Sequence, residues 1–287
     1  MALPMPTLDH VVVNVHDRMD EAQALYRRLG FTLTPRGYHS LGSVNHLAIF
    51  GTDYLELIGT PADGGPEEGA SGSARRDLLG WPTGLNGLVW GTDDSAAVSA
   101  ALTAAGVESL PPNEFIRPVE LPGGARDAVF RTVRLPNETT EAGRLYFCHH
   151  FTRDLVWRDE WRTHANGVVG VLESVIAAED PARLGGLFCR MFGAAAVRPV
   201  AGGFRLAVGL SRFDVVDPTE VAARFGAAIP AAQGRREWMA ALVLRTRGVD
   251  IAEAALRAGG IALAEHTADR VLVGPDQTMG VTLAFVA

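Results

Sequence analysis

Leu8-Asp9-His10-Val11-Val12-Val13-Asn14-Val15 is the stretch that decides the fold. Its β-branched run reads as a short strand. Asp17 follows as a helix cap, and Ala22, Leu25 and Tyr26 carry the helix to Gly30, a residue type that ends helices in the left-handed region. Phe31 is expected to begin the next strand.

The same order returns three times along the chain. Leu85-Asn86-Gly87-Leu88-Val89-Trp90 precedes a helix from Asp94 to Gly106. Val171-Leu172-Glu173-Ser174-Val175-Ile176 precedes Asp180-Pro181, with Pro at a favoured first-turn position, and a helix ending near Gly193. Met239-Ala240-Ala241-Leu242-Val243-Leu244 opens a weaker copy whose helix, Ile251 to Leu256, ends at Gly259-Gly260. Strand-like stretches follow each helix, at 44–50 and 54–58, 128–133 and 145–149, 204–208 and 213–216, and 270–273 and 281–286. The unit is therefore strand, helix, three strands.

A unit of about 60 residues buries one face of its sheet poorly alone, so units should pair and their curved sheets enclose clefts. This gives an α+β chain of four modules in two domains, 1–155 and 156–287. Residues 152–163, holding Trp157 and Trp161, read as a connector whose tryptophans pack between the domains. Two stretches stand outside the repeat: 60–73, read as a flexible cover or linker, and 111–126, read as a loop and candidate wall of the cleft.

With 47% apolar and 21% charged residues in 287, the chain falls outside the disordered and collagen-like classes. A net charge of -7 without a Lys/Arg cluster argues against a nucleic-acid partner. No run reaches 18 apolar residues and no export signal is visible, so a cytoplasmic protein without a membrane partner is expected. Cys148 and Cys189 are too few for a disulfide framework. The expected partner is a small molecule, and paired units could meet within one chain or across a homodimer.

The repeat also serves as a ruler. Seven residues before the helix-opening acid lie His10, Gly87 and Glu173, and in the fourth unit the offset falls near Met239. On the last strand of the first unit, Asp53-Tyr54-Leu55-Glu56-Leu57-Ile58, alternation turns Glu56 away from Leu55 and Leu57, and a carboxylate amid apolar neighbours is costly without a cation. The corresponding strand of the second unit, Leu145-Tyr146-Phe147-Cys148-His149-His150, offers His149. His10, Glu56 and His149 together make a facial set for a divalent metal ion (Fe, Mn, Ni, Zn or Co) that leaves positions open for substrate. His39 and His46 are candidate proton carriers, His39 at the cleft mouth. Cys148 reads as a packing thiol. Arg126, Arg131 and Arg134 could contact a substrate carboxylate, but arginines on such strands and loops are usually solvated. In the second pair of units the ruler gives Glu173, Asp214, Met239 and Ala284, without an imidazole, so no transition metal is expected there.

Leu8-Asp9-His10-Val11-Val12 with Asp17, then Leu29-Gly30-Phe31 and Asp53-Tyr54-Leu55-Glu56-Leu57-Ile58, resemble the vicinal oxygen chelate superfamily. Arg36-Gly37 through Gly42 and Asn45-His46 resemble its glyoxalase-like subgroup. The resemblance implies βαβββ modules paired around a cleft and a divalent metal held by first-strand and last-strand residues, here His10 and Glu56. Glyoxalase I-like members place a second His where this chain has Gly87, and a second Glu where it has Phe147 or His149. The resemblance therefore implies a metal-dependent isomerase, lyase or epimerase acting on vicinal oxygens. Its alternatives are a non-haem Fe(II) ring-cleaving dioxygenase and a metal-free sequestration protein of the drug-resistance type, the last favoured by Gly87.

Overall fold

The computed structural model describes residues 3–62 and 73–287. The first module is β1 (Leu8–His16), α1 (Met19–Arg28), β2 (Gly37–Tyr38), β3 (Val44–Ile49) and β4 (Tyr54–Gly59). After α2 (Ser73–Leu79) comes the second: β5 (Gly84–Thr92), α3 (Ser95–Ala104), β6 (Asn113–Val119), β7 (Arg126–Arg134) and β8 (Arg144–His150). Their strands form one sheet in the order β2-β3-β4-β1-β5-β8-β7-β6. The edge strands approach each other, since Ser40 N–H donates to Ile116 O at 3.0 Å and Ile116 N–H to Ser40 Oγ at 3.2 Å. The sheet thus curls around a cleft.

Strand pairing shows which residues are equivalent. β1 and β5 are antiparallel, with His10 opposite Val89 and Val12 opposite Gly87. A two-fold axis at the Val11–Leu88 pair, which keeps the seven-residue offset to Asp17 and Asp94, equates His10 with Gly87 and Val12 with Val89. One strand out, Val12 lies beside Glu56 and Val89 beside Tyr146, so Glu56 and Tyr146 are equivalent. A Cβ at Gly87 would stand 2.7 Å from Val12 Cβ, which accounts for the missing side chain there.

The third module is β9 (Val168–Ala178), α4 (Pro181–Phe192), β10 (Val197–Val200), β11 (Gly203–Val208) and β12 (Ser211–Val216). α5 (Pro218–Phe225) links it to the fourth: β13 (Glu237–Thr246), α6 (Val249–Ala258), β14 (Glu265–His266), β15 (Arg270–Val273) and β16 (Thr282–Val286). The second sheet, β10-β11-β12-β9-β13-β16-β15-β14, repeats the order of the first. Ser174 lies opposite Leu242 and Glu173 opposite Val243, so Glu173 is equivalent to Ala241 rather than to Met239, which packs in the core. Asp214 and Ala284 occupy the last-strand positions.

The helix-bearing faces of both sheets share one apolar core. Trp90 packs its ring 5.3 Å from Phe192 and 6.0 Å from Phe213, and Phe31 lies 6.4 Å from Phe285. Tyr26 Oη donates to Thr278 O at 3.1 Å. The opposite face of each sheet forms its own smaller apolar cluster around its cleft.

Asp94 and Asp180 cap α3 and α4 as expected, accepting from Ala97 N–H and Ala182 N–H. Asp17 does not cap α1, whose preceding residue Arg18 makes no side-chain cap. Phe31 is a buried core residue on the way to β2 rather than a strand start. The stretch 111–126 contains β6, hidden in the sequence by Pro118, which an edge strand tolerates because its outward position needs no ladder hydrogen bond. Trp157 and Trp161 pack against the first cleft's cluster, not between the sheets. Most of the stretch read as a cover, 60–73, lies outside the described residues.

Candidate active site

Alternation on β1 sends Val11, Val13 and Val15 into the shared core and His10 and Val12 toward the cleft. Between Leu8 and His10 the pairing with β5 slips by one residue, a bulge at Asp9. Bulges re-aim side chains, and here Asp9 stays with the cleft groups beside His10. Asp9 Oδ2 lies 2.7 Å from His10 Nδ1 and 2.9 Å from His150 Nε2. Burial by itself would raise the Asp9 carboxyl, but the adjoining His150 and His10 imidazoles outweigh it and hold it well below the usual range.

Because Asp9 takes Nδ1, the other nitrogen of His10 faces the cleft. Nε2 lies 3.2 Å from Tyr146 Oη and 3.5 Å from Glu56 Oε2. Tyr54 stacks on the imidazole with centroids 4.4 Å apart. Glu56 Oε1 accepts from Asn45 Nδ2 at 2.6 Å, which fixes the carboxylate's plane. Burial pushes the Tyr146 phenol well above its ordinary range, so it stays a neutral donor. These groups line a cavity of about 160 Å³.

The structure brings His10 and Glu56 together but does not bring His149 to them. His149 is on the face of β8 that carries Leu145 and Phe147, beside Ser95 of α3 and stacked on Phe151. Tyr146 and Cys148 are on the cleft face. The residue equivalent to Glu56 is Tyr146, which the sequence reading missed by one step of phase. Leu55-x-Leu57 and Leu145-x-Phe147 carry the signal that could have found it, because their apolar residues align.

His39 lines the cavity, its Nδ1 2.9 Å from Ser43 Oγ and its Nε2 3.3 Å from Asn45 Nδ2. Burial pushes it down to about 4, against the pull of Glu56, so at neutral pH it is an uncharged acceptor. His46 points away from the cleft: its Nδ1 meets Thr34 O at 2.8 Å and its Nε2 accepts from Arg36 Nε at 3.3 Å. It therefore cannot reach a ligand beside His10.

Asp9, Cys148 and His150 place their ligand-capable atoms within 4.8 Å of one another. Asp9 is already taken by two imidazoles, and burial pushes the Cys148 thiol well above its ordinary range. Asp9 and His150 thus form a hydrogen-bonded brace behind His10, with the buried Cys148 thiol beside them. Arg153 Nη1 adds a charge 3.6 Å from Asp9 Oδ1 while its guanidinium covers Trp157 at 3.4 Å.

In the second cleft the equivalent acids are closed off. Glu173 pairs with Arg212 at 2.6 Å and with Arg224, and Asp214 pairs with Arg205 at 2.6 Å and with Arg224 at 3.2 Å. Val221 and Phe225 of α5 pack into the cluster on that face. No described helix is long and apolar enough to cross a membrane.

Structural relatives share this architecture at low identity. A hypothetical protein from Staphylococcus aureus aligns over 98% of both chains with TM-score 0.63 and 11% identity. A triple variant of 4-hydroxymandelate synthase from Streptomyces coelicolor aligns with TM-score 0.58 and 13% identity, covering 99% of this chain and 93% of that one. A xylose isomerase-like TIM barrel/4-hydroxyphenylpyruvate dioxygenase fusion protein aligns with TM-score 0.57 and 13% identity over 100% of this chain and 50% of its own. No curated protein matches in sequence. Residues 8–191 match the glyoxalase-like domain family, spanning the whole first cleft and running on through β9 into α4. With its paired βαβββ modules and the match over residues 8–191, the chain belongs to the glyoxalase-like domain family of the vicinal oxygen chelate superfamily.

Proposed function

We propose that the chain is an enzyme that takes a small oxygen-rich substrate into the first cleft, with His10 and Glu56 holding a divalent metal ion. The observation that carries this reading is the 3.5 Å approach of Glu56 Oε2 to His10 Nε2, on the side of the ring opposite Asp9. A carboxylate oxygen facing an imidazole lone pair at that spacing favours a cation between them. Bonds of about 2.1 Å at tetrahedral angles set neighbouring donor atoms about 3.4 Å apart, so the pair fits such an ion. Gly87 adds no donor and Tyr146 only a neutral phenol, which leaves positions open for substrate oxygens. When bound, the ion supplies Lewis-acid stabilisation of a developing oxyanion.

The remaining work falls to this chain's own groups. Asp9 fixes the tautomer and angle of His10, as carboxylates behind ligand histidines do. Asn45 holds Glu56. Tyr146 Oη can donate to an oxygen that gains charge, and His39, uncharged at neutral pH, can accept a proton at Nε2. Isomerase, lyase and epimerase outcomes share these steps. A ring-cleaving dioxygenase needs a second imidazole beside the pair; His149 faces away, and the imidazole that shares the cavity with His10 and Glu56 is His39.

A second reading has its own observation. Tyr146 Oη already satisfies His10 Nε2 at 3.2 Å, an arrangement that suits a metal-free binding protein. Elemental analysis of protein purified without a metal-affinity tag and reconstituted with Mn, Fe, Co, Ni or Zn separates the two. Near-stoichiometric metal in the wild type, lost in His10→Ala and Glu56→Gln, is the expected result. A wild type that takes up none of these ions would shift the conclusion to sequestration.

A further inference from the structure

We propose that Arg117 is the anchor for a carboxylate on the ligand of the first cleft, which makes the substrate class a compact carboxylic acid. This rests on the reading of the cleft as a substrate site and extends it to substrate chemistry. Arg117 sits on the edge strand β6, is 3% exposed and lines the cavity. Its Nε and Nη2 are buried without a hydrogen-bond partner, and among the described residues no carboxylate stands within ion-pair distance. Burial works against its charge, opposed only by the more distant Tyr54 and Glu56. A buried, unpaired guanidinium is an expensive feature, and such a feature persists where something else supplies the missing partner.

The two free nitrogens narrow what that partner is. Nε and Nη2 form one edge of the guanidinium, a fork that matches the two oxygens of a carboxylate and that a ligand reaches when the side chains closing over it shift. The nearby acids are engaged elsewhere: Glu56 with Asn45 and His10, Asp77 with Arg134 and Arg144. The arginines that the sequence suggested for this role are also committed or solvated. Arg134 holds Asp77 at 2.9 Å, Arg131 holds Glu114 at 2.7 Å, and Arg126 is mostly exposed.

Backbone packing keeps Arg117 in place. Gly37 of β2 faces it, and a Cβ there would stand 2.5 Å from Arg117 Cδ and 2.7 Å from Nη1. Glycine at 37 is what gives the arginine its berth. The cavity of about 160 Å³ is close to the size, about 150 Å³, that admits a benzene ring. The acid is thus compact, with its carboxylate at Arg117 and its other oxygens free for the His10–Glu56 end.

Calorimetric titration with benzoate, acetate, pyruvate, benzamide and inorganic phosphate tests this on the wild type, Arg117→Met, Arg117→Lys and His10→Ala. Benzoate is expected to bind the wild type, about tenfold or more weaker in Arg117→Met and intermediate in Arg117→Lys, which keeps the charge but not the fork. Benzamide should not distinguish wild type from Arg117→Met. Without ligand, Arg117→Met should melt at or above the wild type, because an unpaired charge has left the cleft. Equal benzoate affinity in wild type and Arg117→Met overturns the proposal, as does failure of benzoate, acetate and pyruvate all to bind at millimolar concentration. Tighter binding of phosphate than benzoate would reassign the anchor to phosphate esters, and a large loss of ligand-free stability would make Arg117 structural. His10→Ala keeps the two claims apart. If wild type holds no metal yet benzoate binding depends on Arg117 and survives His10→Ala, the anchor stands and the metal reading falls.

Discussion

The two clefts share a topology and differ in how their charges are settled. In the second, Glu173 and Asp214 occupy the positions of His10 and Glu56, and each buried carboxylate is gripped by two guanidinium groups. In the first, His10 and Glu56 face each other across 3.5 Å and Arg117 Nε and Nη2 have no hydrogen-bond partner among the described residues. A fold that satisfies every buried charge gains stability there and leaves nothing for a ligand to complete. The open cleft is the one that binding can finish. On the function proposed for the first cleft, ligand binding and stability are divided between equivalent places in one chain.

Breaking the satisfied cleft should have the largest effect. Arg224 clasps both Glu173 and Asp214, so Arg224→Met leaves each buried carboxylate with one guanidinium, Arg212 or Arg205, in place of two and should cost about 3 kcal/mol through the lost charge-assisted hydrogen bonds. For a chain of this size that lowers Tm by about 6–12 °C in a calorimetric scan. The opposite sign expected for Arg117→Met sharpens the contrast, and equal losses at both positions would erase it.

Gly87 tests why the first cleft lacks a donor opposite His10. Gly87→Ala should cost about 2 kcal/mol in urea unfolding, because its Cβ meets Val12 at 2.7 Å, and Val12→Ala in the same chain should recover most of it. If the double variant is no better than the single, Val12 is not what keeps position 87 empty.

A smaller effect comes from Asp53, where the first sheet meets the second: its Oδ1 accepts from Val171 N–H at 2.9 Å. Burial pushes its carboxyl up to about 6, against an unfolded value of about 3.9. A raised folded value means that the fold favours the protonated acid. Its contribution is full below about pH 4 and is lost as pH rises through about 6. Asp53→Asn should therefore gain on the wild type between those limits and hold that gain at higher pH. Parallel stability–pH curves for the two proteins would exclude the ionisation of Asp53 as the cause.

The repeat made the architecture legible because strand and helix periods, and glycines at helix ends, are local signals. The four helices are followed by Gly30, Gly106, Gly193 and Gly260, all at positive φ. His10 and Glu56 were legible through alternation within one strand. What escaped depends on pairing between strands. The bulge that keeps Asp9 beside His10 is defined only by β5, and the equivalence of Glu56 with Tyr146 only by β4 and β8. Arg117 was hidden because Pro118 reads as a loop until the strand is known to lie at an edge.

The shared core also gives the second half a role toward the first. Trp90, from the strand that flanks His10, rests its ring on Phe188, Phe192 and Phe213 of the other half. Leu3 and Tyr26 bind its backbone at Met191 and Thr278. Cut away, the second half would leave that aromatic surface in water, a patch prone to self-association. The halves should therefore melt as one cooperative unit, with the second acting as a permanent built-in chaperone for the first.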